Sequence, residues 1–138
     1  MENVLIDTDV ILDFFFDRQP FSEDAAKILA LCESGEIKGF VTPVIYSNAY
    51  DILRKTASHQ FVVDQLKQLF YITDVLAMDK AVVLQALNST FSDFEDSLQN
   101  FAAVDYGGIN AVITRNVKDY KSSTIAVLTP QSFLNIRG

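Results

Sequence analysis

Short aliphatic runs alternate along this chain with stretches of helical period, and the alternation predicts the architecture. Val4-Leu5-Ile6 is a continuous apolar run, as expected of a strand buried on both faces. A helical segment through Val10, Ile11, Leu12, Phe14 and Phe15 follows it. Pro20 breaks the pattern, and Ser22-Glu23-Asp24 places acids in the first turn of a new helix. That helix carries Ala25, Ile28, Leu29 and Leu31 and ends near Gly35. Phe40-Val41-Thr42 reads as a second strand, and Pro43 opens a helix through Ile45, Ala49, Ile52 and Leu53. Ser58 or His59 separates it from a helix holding Val62, Leu66, Leu69 and Phe70. Tyr71 to Leu76 is a third, looser strand. Asp79 caps a helix through Val82, Val83 and Leu87, and Asp93 caps one through Phe94, Leu98 and Phe101. Ile109 to Thr114 and Ile125 to Leu128 are the last strands, and Pro130 to Leu134 forms a short final helix.

Strands and helices alternating at this spacing call for a parallel sheet covered on both faces. The expected fold is a three-layer α/β/α sandwich around a central parallel sheet of four to five strands. With 138 residues and no repeat, low-complexity segment or linker, the chain reads as one domain, residues 1–138. A hydrophobic content of 49% gives enough apolar surface for a packed core and argues against disorder. No apolar run reaches the roughly 18 residues of a membrane span, and Met1-Glu2-Asn3 lacks the basic start of a signal peptide. No membrane association and a cytoplasmic location are the expectations. Cys32 is the only cysteine, which excludes an internal disulfide and any cysteine zinc cage; among Ile28, Leu29 and Leu31 it reads as a small buried hydrophobe.

The net charge of -7 opposes nonspecific attraction to nucleic acid, although a local basic groove remains compatible with it. Arg54-Lys55 and the cluster Arg115, Lys118, Lys121 are the candidates, and ordinary solvated charge is the simpler reading of both.

Candidate chemistry sits where strands end. Val4-Leu5-Ile6 runs straight into Asp7-Thr8-Asp9, and carboxylates at the lip of a core strand are costly unless donors or a cation satisfy them. Asn48 and Asp51 lie on the helix after the second strand. Asp93, Glu95 and Asp96 open the helix before the fourth strand, and Asn116 and Asp119 follow that strand. In an open parallel sheet these ends converge on one edge. Hard divalent cations take oxygen ligands of this kind, and paired ions would activate water for phosphodiester hydrolysis. Each motif also has a plainer explanation. Asp93 and Asp96 fit a helix cap and its third position, Asn116 and Asp119 fit a turn, and Asp9, Asp13 and Asp17 fit one solvated helix stripe. His59 fits a helix boundary; with no second histidine, a histidine-based metal site is not expected.

Taken in order, Asp7-Thr8-Asp9-Val10, Asp93-Phe94-Glu95-Asp96 and Thr114-Arg115-Asn116 with Asp119 resemble the acidic motifs of PIN-domain ribonucleases, above all the toxins of bacterial toxin–antitoxin modules. The resemblance spans essentially the whole chain. It implies that Asp7 is the first metal-binding acid, Asp96 with Asp93 one turn earlier the third, and Asp119 the fourth, with Asn116 as helper or alternative. Asp7, Asp96 and Asp119 would then carry catalysis through Mg²⁺ or Mn²⁺. Thr8 or Thr114 would order the carboxylates by hydrogen bonds. The second position departs from the pattern: Asn48 stands where the family usually has a glutamate. Asp51 shares its helix face and is a possible substitute. The resemblance further implies an RNA substrate, an antitoxin partner, a homodimer, and a basic rim from Arg18, Arg54, Arg115 or Lys118.

Two other functions compete. Asp7-Thr8-Asp9 after a hydrophobic strand also fits the first motif of haloacid-dehalogenase phosphatases, with Asp7 as nucleophile and Asp9 as acid/base, but no convincing downstream lysine accompanies it. A module that keeps the fold and binds RNA or protein without catalysis is the other, and Asn48 is its support.

Overall fold

The computed structural model describes residues 2–137. Its strands are β1 (Glu2–Ile6), β2 (Ile37–Val41), β3 (Asp74–Val75), β4 (Ala111–Ile113) and β5 (Ala126–Leu128). They form one sheet in the order β3-β2-β1-β4-β5, with every neighbouring pair parallel. The helices are α1 (Thr8–Phe15), α2 (Ser22–Ser34), α3 (Pro43–Leu53), α4 (His59–Ile72), α5 (Lys80–Leu87), α6 (Phe94–Tyr106) and α7 (Pro130–Arg137), with a 3₁₀ turn at Val117–Tyr120. Helices α5 and α6 pack together, while α2 packs on α1, α4 and α7, and α3 on α1 and α4. The result is the expected α/β sandwich.

The order of strands determines where a site can form. From β1 the chain builds outward through β2 and β3, then returns to place β4 on the other side of β1. The crevice at the carboxyl ends of β1 and β4 is therefore the switch point of the sheet. Register sharpens this: Ile6 pairs with Ile113, so Asp7 and Thr114 leave the sheet side by side. The Asp7 backbone N–H donates to the Ile113 carbonyl at 3.0 Å, extending the ladder to the first residue of the crevice.

Beneath that edge lies an apolar core. Val4, Leu5, Ile6, Val10, Ile11, Val41, Ile45, Val112 and Ile113 are all fully buried. Each large aliphatic side chain so placed contributes about 1.5–3 kcal/mol of burial free energy. A smaller cluster of Leu12, Ala49, Leu53 and Val62 fastens α1, α3 and α4 to one another. Gly39 in β2 allows α2 to sit close to the sheet, because a Cβ there would stand 2.5 Å from the Cys32 sulfur. Cys32 itself is buried, and burial pushes its thiol up to about 11, so it is a packing group.

Several expected boundaries shift. The third strand is only Asp74–Val75, because α4 continues through Tyr71 to Ile72 and the Thr73 hydroxyl holds the Leu69 carbonyl at 2.7 Å. The fourth strand is shorter than Ile109 to Thr114: Asn110 is drawn into a reciprocal pair with Asn3, accepting from its backbone N–H and donating to its carbonyl. The last helix runs to Arg137 instead of stopping at Leu134. Ser58, not His59, caps α4 by accepting from the Phe61 N–H. No helix among the described residues is long and apolar enough to cross a membrane.

Candidate functional site

Asp7 is the N-cap of α1 and the centre of the crevice. It is 5% exposed, and neutral donors surround it. Its Oδ1 accepts from the Thr8 backbone N–H at 2.7 Å and from Gln99 Nε2 at 3.1 Å. Its Oδ2 accepts from the Thr114 hydroxyl at 2.9 Å and, more distantly, from the Tyr120 hydroxyl at 3.4 Å. Burial raises the Asp7 pKa and these hydrogen bonds oppose the rise. Of the two threonines considered for ordering it, Thr114 does so through its hydroxyl and Thr8 through its backbone; the Thr8 hydroxyl is buried without a partner.

Asp96 enters from α6. Asp93 caps that helix by accepting the Asp96 N–H at 3.0 Å, so the capping role of Asp93 is real and fixes the position of Asp96. Burial pushes the Asp96 carboxyl up to about 7, reinforced by the charges of Asp7, Asp93 and Asp119 and opposed by a hydrogen bond from Tyr120. Asp119 lies on the exposed 3₁₀ turn after β4, which Asn116 starts by accepting the Asp119 N–H at 3.0 Å. The Asn116 backbone N–H in turn donates to the Thr114 hydroxyl at 3.0 Å. Asp7, Asp96 and Asp119 thus share one electrostatic field, and among the described residues none of them has an ion-pair partner.

Two residues of this constellation escape a reading of the sequence. Gln99 is 2% exposed and Tyr120 1% exposed; Gln99 Nε2 bridges Asp7 Oδ1 and the Tyr120 hydroxyl, the latter at 3.2 Å. Burial and the adjacent carboxylates raise the Tyr120 pKa, so it remains a protonated donor. The available signal was position: Gln99 follows Asp96 by one helical turn, and Tyr120 adjoins Asp119.

The aspartate stripe of α1 requires correction. Asp13 is 1% exposed, not solvated. Arg115 clasps it with two bonds, Nε to Oδ2 at 2.6 Å and Nη2 to Oδ1 at 3.0 Å, and Arg18 adds an ion pair at 3.6 Å. Asp9 is partly buried; its Oδ2 accepts from the Arg115 backbone N–H at 3.0 Å, while its Oδ1 is buried without a partner. Burial, then the charge of Asp7, raises Asp9 to about 6. Asp17 lies beyond the helix at a φ of 50° and accepts from the Ser22 hydroxyl at 2.7 Å. Burial of Asp13 was set by Arg115, which periodicity along α1 does not see.

The same ion pair changes the picture of the basic residues. Arg115 is not an ordinary solvated charge: besides holding Asp13, its guanidinium lies 4.0 Å from the Phe21 ring centroid. Arg18 shares Asp13 with it, and Arg54 turns back to donate to the Ala57 carbonyl at 2.9 Å. Lys118 is exposed and forms no ion pair among the described residues. At the second position, Asn48 is half-buried on α3 and its amide donates to the carboxylate of Glu95 on α6. Asp51, one turn further along α3, is exposed and takes no part in that contact. His59 sits at the start of α4, with its ring Nδ1 2.9 Å from the Tyr50 hydroxyl.

Among the described residues no three acidic, histidine or cysteine side chains already stand close enough to hold an ion among them. The chemistry of the donor set nevertheless suits a hard divalent cation: the ligand atoms on offer are carboxylate oxygens, and their mutual repulsion is what such an ion relieves.

The PIN-domain family model matches residues 3–118. Among solved structures, VapBC2 from Rickettsia felis, bound to a DNA fragment from its promoter, is similar at a TM-score of 0.65 and 9% identity, covering 91% of this chain and 96% of that one. VapBC-1 from nontypeable Haemophilus influenzae is similar at a TM-score of 0.68 and 14% identity, covering 94% and 98%. VapC20 of Mycobacterium tuberculosis, described as a toxin that cleaves the sarcin–ricin loop, is similar at a TM-score of 0.61 and 15% identity, covering 79% and 86%. No curated protein matches the chain in sequence.

Proposed function

Because this chain belongs to the PIN-domain family, we propose that it is an endoribonuclease dependent on Mg²⁺ or Mn²⁺ and the toxin of a toxin–antitoxin pair. The observation that carries this reading is Asp7, buried at the β1–β4 switch point and held by neutral donors, with no ion-pair partner among the described residues for it, Asp96 or Asp119. Those three carboxylates would hold the metal, with Asp93 fixing Asp96 through the helix cap and Asn116 ordering the turn that presents Asp119. When bound, the ion supplies an activated water and charge neutralisation at the scissile phosphate. Thr114, Gln99 and Tyr120 orient Asp7 by donating to both of its oxygens, and those hydrogen bonds oppose the rise that burial imposes on its pKa.

Lys118 and Arg54 remain the exposed cations for positioning RNA phosphates, since Arg115 and Arg18 already serve Asp13. An antitoxin and a second copy of the chain are the partners in this reading. The similar VapBC structures support the antitoxin, and large apolar side chains left exposed, Phe61, Phe70 and Tyr71 on α4 and Leu84 and Leu87 on α5, support a protein partner. A cytoplasmic location belongs to the same reading, because an RNA target and an antitoxin would meet the protein there. The phosphatase alternative is set aside because the PIN-domain family model matches residues 3–118.

The test is cleavage of a structured RNA by the purified chain with Mn²⁺ or with chelator. Wild type should cut only with metal, and Asp7→Asn or Asp96→Asn should lower the rate by more than about 100-fold, since even the hydrogen-bond partners of ligands are worth 10–100-fold. Cleavage that survives chelation, or is unchanged in both variants, would remove the assignment.

A further inference from the structure

Asp7, Asp96 and Asp119 come from the end of β1, from α6 and from the turn after β4, and none of the three comes from α3. Asn48 is half-buried on that helix, and its Nδ2 donates to Oε2 of Glu95, forty-seven residues away. α3 starts at the carboxyl end of β2, where Thr42 caps it by accepting the Ile45 N–H at 3.2 Å. Glu95 adjoins Asp96 in the first turn of α6. The contact therefore joins the helix on the β2 side of the crevice to the helix that carries Asp96. An amide donor holds one carboxylate oxygen and leaves the other with its full acceptor capacity.

A ligand is indicated independently by atoms that belong to neither residue. Gln99, 2% exposed and already touching Asp7, keeps its Oε1 buried without a partner, and Asp9 Oδ1 is likewise unpartnered. Buried oxygens of this kind are rare in a folded protein and call for a donor or a cation nearby.

Resting on the nuclease reading above, we propose that Glu95, held in place by Asn48, is a fourth carboxylate of the divalent-cation site. Glu95 brings the charge to the α3 side of the crevice, and Asn48 is the positioning residue that orients it. The asparagine at position 48 is then one half of a working pair, and Asp51 has no role in the site.

Calorimetric titration of the full chain with Mn²⁺ tests this without depending on activity. Glu95→Gln should weaken Mn²⁺ binding by about 10-fold or more, and Asn48→Ala should weaken it in the same direction by less. Moving the acid across the contact, Asn48→Glu with Glu95→Gln, should recover most of the lost affinity, which a merely structural role for either side chain would not produce. Asp51→Asn should bind as wild type does. If wild type binds Mn²⁺, Asp7→Asn abolishes binding and Glu95→Gln leaves it unchanged, the fourth carboxylate is refuted while the nuclease reading stands. If wild type itself binds no Mn²⁺ at millimolar concentration, the nuclease reading falls and the assignment of Glu95 falls with it.

Discussion

Asp7 and Asp13 begin and end the buried face of the same helix, and the protein treats them in opposite ways. Both are buried, at 5% and 1% exposure. Asp13 receives a full counter-charge from a bidentate arginine, with a second arginine behind it. Asp7 receives hydrogen bonds from a threonine, a glutamine, a tyrosine and a backbone N–H, none of which carries charge. A buried carboxylate matched by arginine is finished, and it serves to pin the segment after β4 to α1. A buried carboxylate held only by neutral dipoles has no counter-charge from the protein, and the proposed function gives that role to a divalent cation. The difference separates scaffold from site more clearly than burial or acidity alone.

Breaking the finished pair should cost the most. Asp13→Ala strands Arg115 against α1, and loss of one partner of a buried pair costs about 3–5 kcal/mol. Arg115 retains some exposure, which places the expected loss near the lower end of that range, visible as a drop of roughly 10 °C in the thermal midpoint. Asp13→Leu with Arg115→Met should recover much of it, because an apolar pair of similar volume avoids the cost of burying charge. Recovery would show that the ion pair is structural; failure to recover would assign Arg115 a further duty.

The unfinished carboxylate should respond instead through metal affinity. Thr114→Val removes the shortest side-chain donor to Asp7, and Mn²⁺ affinity should fall about 10-fold with little change in fold, measured by calorimetry and by circular dichroism.

A smaller effect concerns pH. Asp9 and Asp96 are raised to about 6 and about 7 in the folded chain, against an unfolded value near 3.8. The folded protein therefore binds more protons than the unfolded one across this interval, so stability falls as pH rises through 6 and 7. Without metal, the thermal midpoint should be about 3 °C or more higher at pH 5.5 than at pH 8. Asp13→Ala should preserve that slope and Asp96→Asn should flatten it.

Much of this arrangement was legible in the order of residues, and the exceptions share a cause. The apolar run of Val4 to Ile6 fixes β1, and the acid after it marks the crevice, because both signals are local. The caps at Asp79 and Asp93 were equally readable. The status of Asp13 was not, since its partner lies a hundred residues away across the fold and helical spacing groups it with Asp9. Gln99 and Tyr120 were missed for the same reason: a buried amide or phenol gains its role from the carboxylate it meets in space. Asn48 was read as a missing acid, and only the contact with Glu95 shows where a charge stands in relation to it. The third strand was overdrawn because Tyr71 and Ile72 satisfy helical and extended patterns alike, and the helix hydrogen bonds won.

The contrast between the two aspartates can be settled by one series of thermal melts at pH 7.5 with increasing Mn²⁺. A ligand that binds only the folded state at 100 times its dissociation constant adds about 2.7 kcal/mol. Wild type and Asp13→Asn should both rise in midpoint as Mn²⁺ is added, the second from a lower start, while Asp7→Asn should not move. An equal rise in Asp7→Asn, or none in wild type, would contradict the claim that Asp7 is the carboxylate awaiting a cation.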